Sequence, residues 1–349
     1  MTNLTRPKPL VCICVPTYNS ERTLAETLES ILHQTYRDLI VLVVDNASVD
    51  GTLAIAERFA VADSRVHVHR NMENIGGEGN FTRCLSLACG DYTGIFHSDD
   101  IYTPEMVAKQ VYFLESNPQA GAVFAMAQSI DERGILGREY RLPGELSRGT
   151  GAVYSFDEIF RALLKYGNDF LFCPSAMVRT PIYRDYIRKW DAGGFNTSAD
   201  LDVWLRILMR SPIGILEEPL LRYRGGAASS FSYTAARRKT GRHDMLQVLD
   251  HYLKGYAASL VGPEAAADYA IIVLKDNINR AFNLFVIGER SVGRELLRGL
   301  FKLSNIVHAF KNPFHLRIIV NGYIVYFLLC LPLAAKARRV VCRARYGAY

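Results

Sequence analysis

Two adjacent carboxylates, Asp99 and Asp100, follow an apolar run that extends from Tyr92 to Phe96. Such a run is typical of a buried strand in a parallel sheet, and open α/β sheets bind ligands at the carboxyl ends of their strands. Neighbouring carboxylates repel each other, and a cation or a donor-rich ligand relieves that repulsion. A structural alternative is the start of a helix, because Thr103 and Pro104 come next.

Polar residues also follow two earlier apolar runs. Asn19 comes after the run 10–16, and Asp45 and Asp50 come at and after the end of the run 39–44. Because parallel strands end at one edge of a sheet, we expect these side chains to converge in a single crevice. Chance could place one acid after a strand, but the repetition favours a binding site.

The fold class follows from the alternation of strands and helices. Short apolar runs separated by stretches with helical spacing predict an α/β fold with a doubly wound, mostly parallel sheet flanked by helices. A later helix is predicted from Ser198 to Leu208, with Asp200 in its first turn. An acid at that position is suited to complementing the helix dipole, and catalysis is the alternative.

The composition is that of a globular protein, with 49% hydrophobic residues and a formal net charge of +6. No stripe of basic and aromatic residues indicates a nucleic-acid partner. Seven cysteines without a CxxC pair predict buried apolar thiols in a reducing compartment. The polar start, from Met1 to Lys8, has no apolar signal core, so we expect a cytoplasmic location.

The C-terminal third changes character. We predict three parts: a sheet domain over 1–235, a helical extension over 236–310, and a membrane-associating segment over 311–349. The stretch from Ile318 to Ala335 is almost wholly apolar but short for a bilayer span. It predicts a re-entrant or interfacial helix on the cytoplasmic face, with a packed core helix as the alternative. The basic tail favours an anionic membrane surface, and contains Lys336, Arg338, Arg339, Arg343 and Arg345.

Taken in order, the motifs resemble those of the family 2 glycosyltransferases over roughly residues 8–235. The resemblance implies a GT-A fold, inversion at the transferred sugar, and a nucleotide-diphosphate sugar as donor. The motifs that carry it are Val15 to Asn19, Val43 to Thr52, Asn74 with Gly76 to Asn80, Gly90 to Asp100, Asp200 to Arg206, and Pro219 to Arg224 with Ser229 and Ser230.

The resemblance also implies roles for particular residues. Asp200 is the expected general base, and Asp99, assisted by Asp100 or His97, is expected to hold Mn²⁺ or Mg²⁺. Ser175, Trp204 and Arg206 are candidates for acceptor contacts, although the helical spacing around Trp204 favours the core. Arg206 and Arg224 are candidates for neutralising the diphosphate. The expected donor-nucleotide contacts are Pro16, Thr17, Tyr18, Asn19, Asp45, Asn46, Asp50, Asn74, Gly79, Asn80, Ser98, Asp99 and Arg224.

The sequence departs from the family pattern at the metal motif, where His97 stands in place of the first acid. An imidazole can bind Mn²⁺, whereas Mg²⁺ prefers oxygen. The acidic pair often seen at the base motif is Ala199–Asp200 here, which leaves Asp200 as the candidate.

The expected function is transfer of a sugar to a glycan or a lipid-linked acceptor in cell-surface polysaccharide synthesis. Two alternatives remain: a sugar nucleotidyltransferase, and a non-catalytic nucleotide-sugar-binding scaffold at the membrane. The first would normally place a glycine-rich, basic loop after the first strand, where Thr17 to Ser20 stand. A nicotinamide-binding domain is disfavoured because no GxGxxG follows that strand.

Overall fold

The structure is a computed structural model that describes residues 8–149, 151–224, 240–334, 336–338 and 340–341. The chain divides into two compact units. The first contains 1–159 and 168–229, and the second contains 160–167 and 230–349. The predicted boundary at 235/236 lies outside the described residues, as do Ser229, Ser230, Arg339, Arg343 and Arg345.

The first unit begins with alternating strands and helices, as the sequence predicted. The four strands pair in parallel in the order β3–β2–β1–β4. These elements are β1 (Val11–Thr17), α1 (Leu24–Leu32), β2 (Leu39–Asp45), α2 (Thr52–Ala62), β3 (Val66–Arg70), α3 (Gly77–Leu87) and β4 (Tyr92–Ile95).

The rest of the first unit completes a ten-stranded sheet in which β4 is followed by β9, β6, β10 and β5. β9 runs antiparallel to both β4 and β6, whereas β6 and β10 pair in parallel, so the sheet is mixed. The predicted α/β fold, a sheet flanked by helices, is confirmed. The elements are β5 (Ile101–Tyr102), α4 (Met106–Ser116), β6 (Ala122–Ile130), β7 (Leu136–Glu139), β8 (Val153–Tyr154), α5 (Phe156–Tyr166), β9 (Met177–Arg179), α6 (Ala199–Leu208) and β10 (Ile213–Arg224).

The register of the strands brings the polar residues together at one edge. Thr17 at the end of β1 lies opposite Asp45 at the end of β2. β4 pairs with the other side of β1, and its last paired residue is Ile95. β10 pairs with the short β5, so that Arg222 lies opposite Ile101. The end of β10 therefore lies beside the acidic pair that follows β4.

The core of the first unit explains why these strands form. All side chains from Val11 to Val15 are fully buried, as are Leu24, Leu28 and Ile31 on one face of α1. Cys12 and Cys14 are buried free thiols in this core, and the other cysteines within the described ranges are also unpaired. The prediction that cysteines serve here as small apolar residues is confirmed for this strand.

The second unit is helical. It contains the end of α5 and further helices, with a core formed mainly by α8 and α11. These helices are α7 (Asp244–Lys254), α8 (Pro263–Ile287), α9 (Arg290–Leu296), α10 (Leu303–Ala309) and α11 (Pro313–Cys330).

Among the described residues, α11 is the one helix that is long and apolar enough to cross a membrane, judged by length and composition alone. It begins earlier than predicted because the Asn312 side chain accepts a hydrogen bond from the backbone N–H of Phe314 (3.0 Å). One side of α11, with Ile318 and Leu329, is buried in the core of its unit. The other side exposes Ile324 and Phe327. The helix therefore combines a packed face with an unpartnered apolar face.

Candidate functional site

Three potential metal ligands lie together just after β4. One ligand atom each from His97, Asp99 and Asp100 lies within 4.8 Å of the others. His97 Nδ1 is 4.0 Å from Asp100 Oδ2. Both His97 Nε2 and Asp100 Oδ2 are buried without a hydrogen-bond partner among the described residues. Orphaned buried acceptor atoms are costly in a folded protein, so this donor set fits a divalent cation.

Hydroxyl groups from α1 and the loop before it hold this segment in place. Thr23 Oγ1 donates to the carbonyl of Ser98 (2.8 Å), and Thr27 Oγ1 donates to the carbonyl of Asp100 (2.8 Å). The hydroxyls of Ser20 and Ser98 are also 2.8 Å apart. These bonds fix the backbone, which leaves the carboxylates available for a ligand.

Arg224, the last residue of β10, hydrogen-bonds to both residues of the acidic pair. Its backbone N–H donates to Asp100 Oδ1 (2.7 Å), and its Nε donates to the carbonyl of Asp99 (2.7 Å). Its guanidinium also donates to the carbonyl of Asp131 (3.1 Å) and pairs with Glu26 (2.6 Å). With 6% of the residue exposed, Arg224 positions the acidic pair, and its charge lies close to the site.

The electrostatics of the cluster are unusual. Burial raises the pKa of Asp99, and burial together with the charge of Asp99 raises the pKa of Asp100 well above its ordinary range. Burial lowers the pKa of His97 to about 4, so its imidazole is neutral at physiological pH. A bound cation would reverse the destabilisation of the two carboxylates.

Asp200 lies in the first turn of α6 and is partly buried. Its Oδ1 accepts a hydrogen bond from the backbone N–H of Leu201 (2.8 Å). Burial raises the pKa of Asp200 to about 6. Ser198 stands at the predicted N-cap position but makes no capping side-chain bond, so the first turn of α6 is not closed by that residue.

The charges of both Asp200 and Asp100 act on the thiol of Cys173. Its thiol is buried, and its pKa is raised by burial first and then by the charges of Asp200 and Asp100. The thiol therefore lies within electrostatic range of both the proposed base and the acidic pair. Neither the cysteine nor its position in a short 3₁₀ turn carries a sequence signal for this role.

The loops after β1 and β2 interlock at the same edge. Asn19 has a left-handed backbone (φ 50°), and its Oδ1 accepts from the N–H of Val49 (3.0 Å). Asp50 accepts from the N–H of Thr52, the first residue of α2 (3.0 Å). Asp45 is fully buried and lies 3.5 Å from Arg70. Pro16 is partly buried and Thr17 is buried between the strands.

The exposed face of this edge is formed by the ring of Tyr18 and by Asn19. Tyr18 is 48% exposed. Of the predicted donor contacts at β1 and β2, these two offer the most accessible surface, and the others shape the loops behind them.

An asparagine network occupies the predicted glycine-bearing loop. Asn46 donates to Asn74 Oδ1 (2.8 Å) and accepts from the N–H of Ile75 (3.0 Å). Asn80 is buried and donates to the carbonyl of Val44 (2.9 Å). A Cβ at Gly79 would lie 3.2 Å from the Ile75 side chain. The three asparagines thus hydrogen-bond within the protein and shape the loop, and their contact with a nucleotide, like that of Gly79, stays a prediction.

The predicted acceptor residues are used inside the protein. Ser175 is fully buried, and its hydroxyl donates to the carbonyl of Phe172 (2.9 Å). Trp204 is 1% exposed and packs edge-on against Phe124, which supports the core interpretation. Arg206 pairs with Asp202 (2.8 Å) and donates to backbone carbonyls. These three side chains have partners inside the protein, and their contact with an acceptor or a diphosphate stays a prediction.

Sequence reasoning missed Glu26, Asp131 and Cys173. Glu26 and Asp131 hold the guanidinium of Arg224, and Glu26 lies 198 residues before it in the chain. No motif or periodicity connects residues so far apart. The only available signal was that Glu26 stands in the first turn of α1, near the predicted site edge.

The fold and the site together define the class: a GT-A-like glycosyltransferase fold with an acidic metal motif. Residues 12–187 match the model of glycosyl transferase family 2. The chain belongs to this family and is a nucleotide-sugar-dependent glycosyltransferase.

Two curated relatives illustrate the similarity in sequence. The chain is 31% identical over 236 residues to the putative glycosyltransferase EpsE of Bacillus subtilis, covering 65% of this chain and 78% of EpsE. It is 25% identical over 238 residues to the putative teichuronic acid biosynthesis glycosyltransferase TuaG of the same organism, covering 67% and 87%.

Solved structures show the same fold at low identity. S. aureus TarS 1-349 has a TM-score of 0.53 at 17% identity, covering 97% of this chain and 92% of that chain. TarS 1-349 has also been solved with UDP. The mannosyltransferase PcManGT from Pyrobaculum calidifontis, in complex with GDP-Man and Mn²⁺, has a TM-score of 0.52 at 16% identity, covering 92% and 87%.

Proposed function

We propose that this chain is an inverting glycosyltransferase that moves a sugar from a nucleoside-diphosphate donor to a glycan or lipid-linked acceptor of the cell surface. The observation that carries the proposal is the His97–Asp99–Asp100 cluster after β4, in which His97 Nε2 and Asp100 Oδ2 are buried without a hydrogen-bond partner among the described residues. The relationship to TuaG supports a cell-surface glycan as the product.

Asp200 is the proposed general base. A carboxylate whose pKa is about 6 is mostly ionised at neutral pH and is a stronger base than an exposed aspartate. It would accept the proton of the acceptor hydroxyl as that oxygen attacks the anomeric carbon. The bond to the diphosphate oxygen breaks in the same displacement, so the configuration of that carbon inverts.

Mn²⁺ or Mg²⁺ is the proposed cofactor, with Asp99, Asp100 and His97 as the residues that would hold it. Bound there, a divalent cation supplies Lewis-acid stabilisation of the leaving diphosphate. The mixed oxygen and nitrogen donor set favours Mn²⁺ over Mg²⁺, and PcManGT was solved with Mn²⁺. Arg224 would orient the carboxylates and add a positive charge near the diphosphate.

The nucleoside would bind along the edge formed by the loops after β1 and β2. Tyr18 and Asn19 offer accessible surface there, and Asp45 lies behind them at the strand end. UDP and GDP-Man in the neighbouring structures support a nucleoside diphosphate in this region. A calorimetric titration with four nucleoside diphosphates, described in the Discussion, tests the proposal.

The pH dependence of turnover provides a specific test of the base. The general base must be ionised, and burial raises the pKa of Asp200 to about 6. With Mn²⁺ and donor kept saturating at every pH, so that protonation of Asp99 and Asp100 does not limit binding, we therefore expect kcat to rise about tenfold per pH unit below pH 6 and to level off above it. Steady-state rates between pH 5 and 8, with donor binding measured in parallel, check this. A kcat that does not change with pH, or a donor affinity that falls in parallel with kcat, would contradict the assignment of Asp200 as the base.

The exposed apolar face of α11 supports association with the cytoplasmic membrane surface. Ile324 and Phe327 are 56% and 63% exposed, and the neighbouring helix α10 exposes Leu303 and Val307. A transferase that uses a lipid-linked acceptor has to reach the lipid headgroups, and apolar side chains of this kind partition into that interface.

Substitutions on this face test the membrane proposal better than truncation, since Ile318 and Leu329 are part of the core. We expect the double change Ile324→Ser and Phe327→Ser to weaken binding to anionic phospholipid vesicles at least about tenfold, because two apolar contacts are lost. The matched control removes two exposed apolar side chains of the first unit, Val61→Ser and Met72→Ser. Equal vesicle binding by both variants would contradict membrane association through this face of α11.

A further inference from the structure

A second cluster of metal-ligating atoms lies in the helical unit. Asp268 of α8, His308 of α10 and His315 of α11 each bring one ligand atom within 4.8 Å of the other two. All three residues belong to the second unit. The cluster is therefore separate in the chain from the His97–Asp99–Asp100 motif, and the proposed transfer reaction does not use it.

The orientation of His315 is the most informative feature. The residue is fully buried, and its Nε2 lies 2.9 Å from the backbone carbonyl of Lys165. A carbonyl oxygen only accepts hydrogen bonds, so Nε2 carries the proton and Nδ1 presents a lone pair. That Nδ1 is buried without a hydrogen-bond partner among the described residues. It lies 3.7 Å from Asp268 Oδ1.

This arrangement matches the support that metal-binding histidines usually have. Such a histidine normally donates its second ring N–H to a carbonyl or carboxylate, which fixes the tautomer and aims the other nitrogen at the metal. The carbonyl of Lys165 provides that support here. Without a bound cation, the Nδ1 lone pair of His315 would face a carboxylate oxygen, which is an unfavourable contact between two acceptors.

The pair formed by His308 and Asp268 would have to open slightly to admit a small cation. His308 Nε2 lies 2.6 Å from Asp268 Oδ1, which is a hydrogen-bond distance. Ligands of a tetrahedral ion with bonds of about 2.0–2.1 Å lie about 3.4 Å apart, so this pair would have to separate by about 1 Å. The side chains of Asp268 and His308 are each 11% exposed. That residual exposure leaves a route for the ion and for a water ligand.

We infer that Asp268, His308 and His315 form a transition-metal site for an ion of the Zn²⁺ class. Two imidazole nitrogens and one carboxylate oxygen suit Zn²⁺ and its first-row neighbours, whereas Mg²⁺ and Ca²⁺ take all-oxygen sets. The ion would join the consecutive helices α10 and α11 to α8, since Asp268 and His308 are separated by 40 residues. It would fasten the first turn of α11, the helix with the exposed apolar face, to α8.

Metal analysis of the full-length, tag-free protein tests this inference. The titration is run on an Asp99→Asn background, so that ions held by the cluster after β4 do not contribute. After chelator treatment, we expect that protein to bind equimolar Zn²⁺ by calorimetry and to unfold at a higher temperature when Zn²⁺ is added. The change Asp268→Asn should weaken Zn²⁺ binding at least about a hundredfold, since loss of an outer-shell partner alone costs 10–100-fold.

A matched control and a second variant keep the test decisive. His251→Gln removes an exposed imidazole from α7 of the same unit, and it should leave the Zn²⁺ affinity and the thermal shift unchanged. If Asp268→Asn does not fold, His308→Gln replaces it as the test. Glutamine can still donate a hydrogen bond to Asp268, so the fold should be kept, but the imidazole ligand is gone and the same loss of Zn²⁺ binding is expected. The inference would be overturned if the ligand variants bound Zn²⁺ as tightly as His251→Gln does. It would also be overturned if the protein with the unmodified cluster showed neither Zn²⁺ binding nor a thermal shift.

Discussion

Replacing Asp200 by asparagine is expected to lower kcat by about 10²–10⁴-fold, the usual contribution of general acid–base catalysis. That range corresponds to about 3–5 kcal/mol of transition-state stabilisation. Asparagine has nearly the same shape, and its Oδ1 can still accept the hydrogen bond from the N–H of Leu201. Its amide cannot accept the proton of the acceptor hydroxyl, so turnover should be lost while the fold is kept.

The affinity for the donor separates a catalytic role from a structural one. We expect Asp200→Asn to bind the nucleotide sugar as tightly as the unsubstituted protein, since other residues would contact the nucleotide and the diphosphate in the proposed site. Asp185→Asn, which removes an exposed carboxylate of the same unit, serves as the control and should keep full activity. Unchanged kcat in Asp200→Asn, or a loss of donor binding that accounts for the loss of rate, would argue against the assignment.

The second large effect is expected at Asp99. The change Asp99→Asn should abolish the metal-dependent part of donor binding and reduce turnover at least about a hundredfold. The neighbouring Asp100 cannot compensate fully, because its Oδ1 already accepts from the backbone N–H of Arg224. A neutral amide oxygen is also a weaker ligand for a divalent cation than a carboxylate.

Mn²⁺ binding followed by electron paramagnetic resonance, together with donor titration, measures this effect. His97→Gln should give a smaller loss than Asp99→Asn if the imidazole contributes one ligand of several. The exposed Asp185→Asn again provides the control. Metal-dependent donor binding that persists unchanged in Asp99→Asn would place the cation elsewhere.

The central part of the fold and the acidic cluster were predictable from the sequence. β1, β2 and β4 are continuous apolar runs, and parallel strands must end at one edge, so the grouping of Asp45 and Asp99 follows from the pattern. The resemblance to a family then gave these residues their expected roles, and the family match supports the recognition.

Side-chain direction was not predictable in the same way. A motif states which residue types occur, but Ser175, Trp204 and Asn80 point into the protein and are used there. The strand β9 has only three residues, too few for a periodic sequence pattern, and it pairs antiparallel with its neighbours in the sheet. Contacts such as Arg224–Glu26 depend on the assembled fold.

The metal cluster of the helical unit shows the same limit more sharply. Asp268, His308 and His315 come from three helices, and Asp268 lies 40 residues before His308 in the chain. No CxxC-like or HxxxH-like spacing marks them. Only the packing of α8, α10 and α11 brings their ligand atoms together.

The most direct test of the proposed function is calorimetric titration of the full-length protein with UDP, GDP, CDP and dTDP, each with and without Mn²⁺. We predict that one nucleotide binds in a metal-dependent manner and that Asp99→Asn loses this dependence. Nucleotide affinity that is the same with and without Mn²⁺ would contradict the role given to His97, Asp99 and Asp100. Absence of binding by all four nucleotides would contradict the proposed donor site altogether.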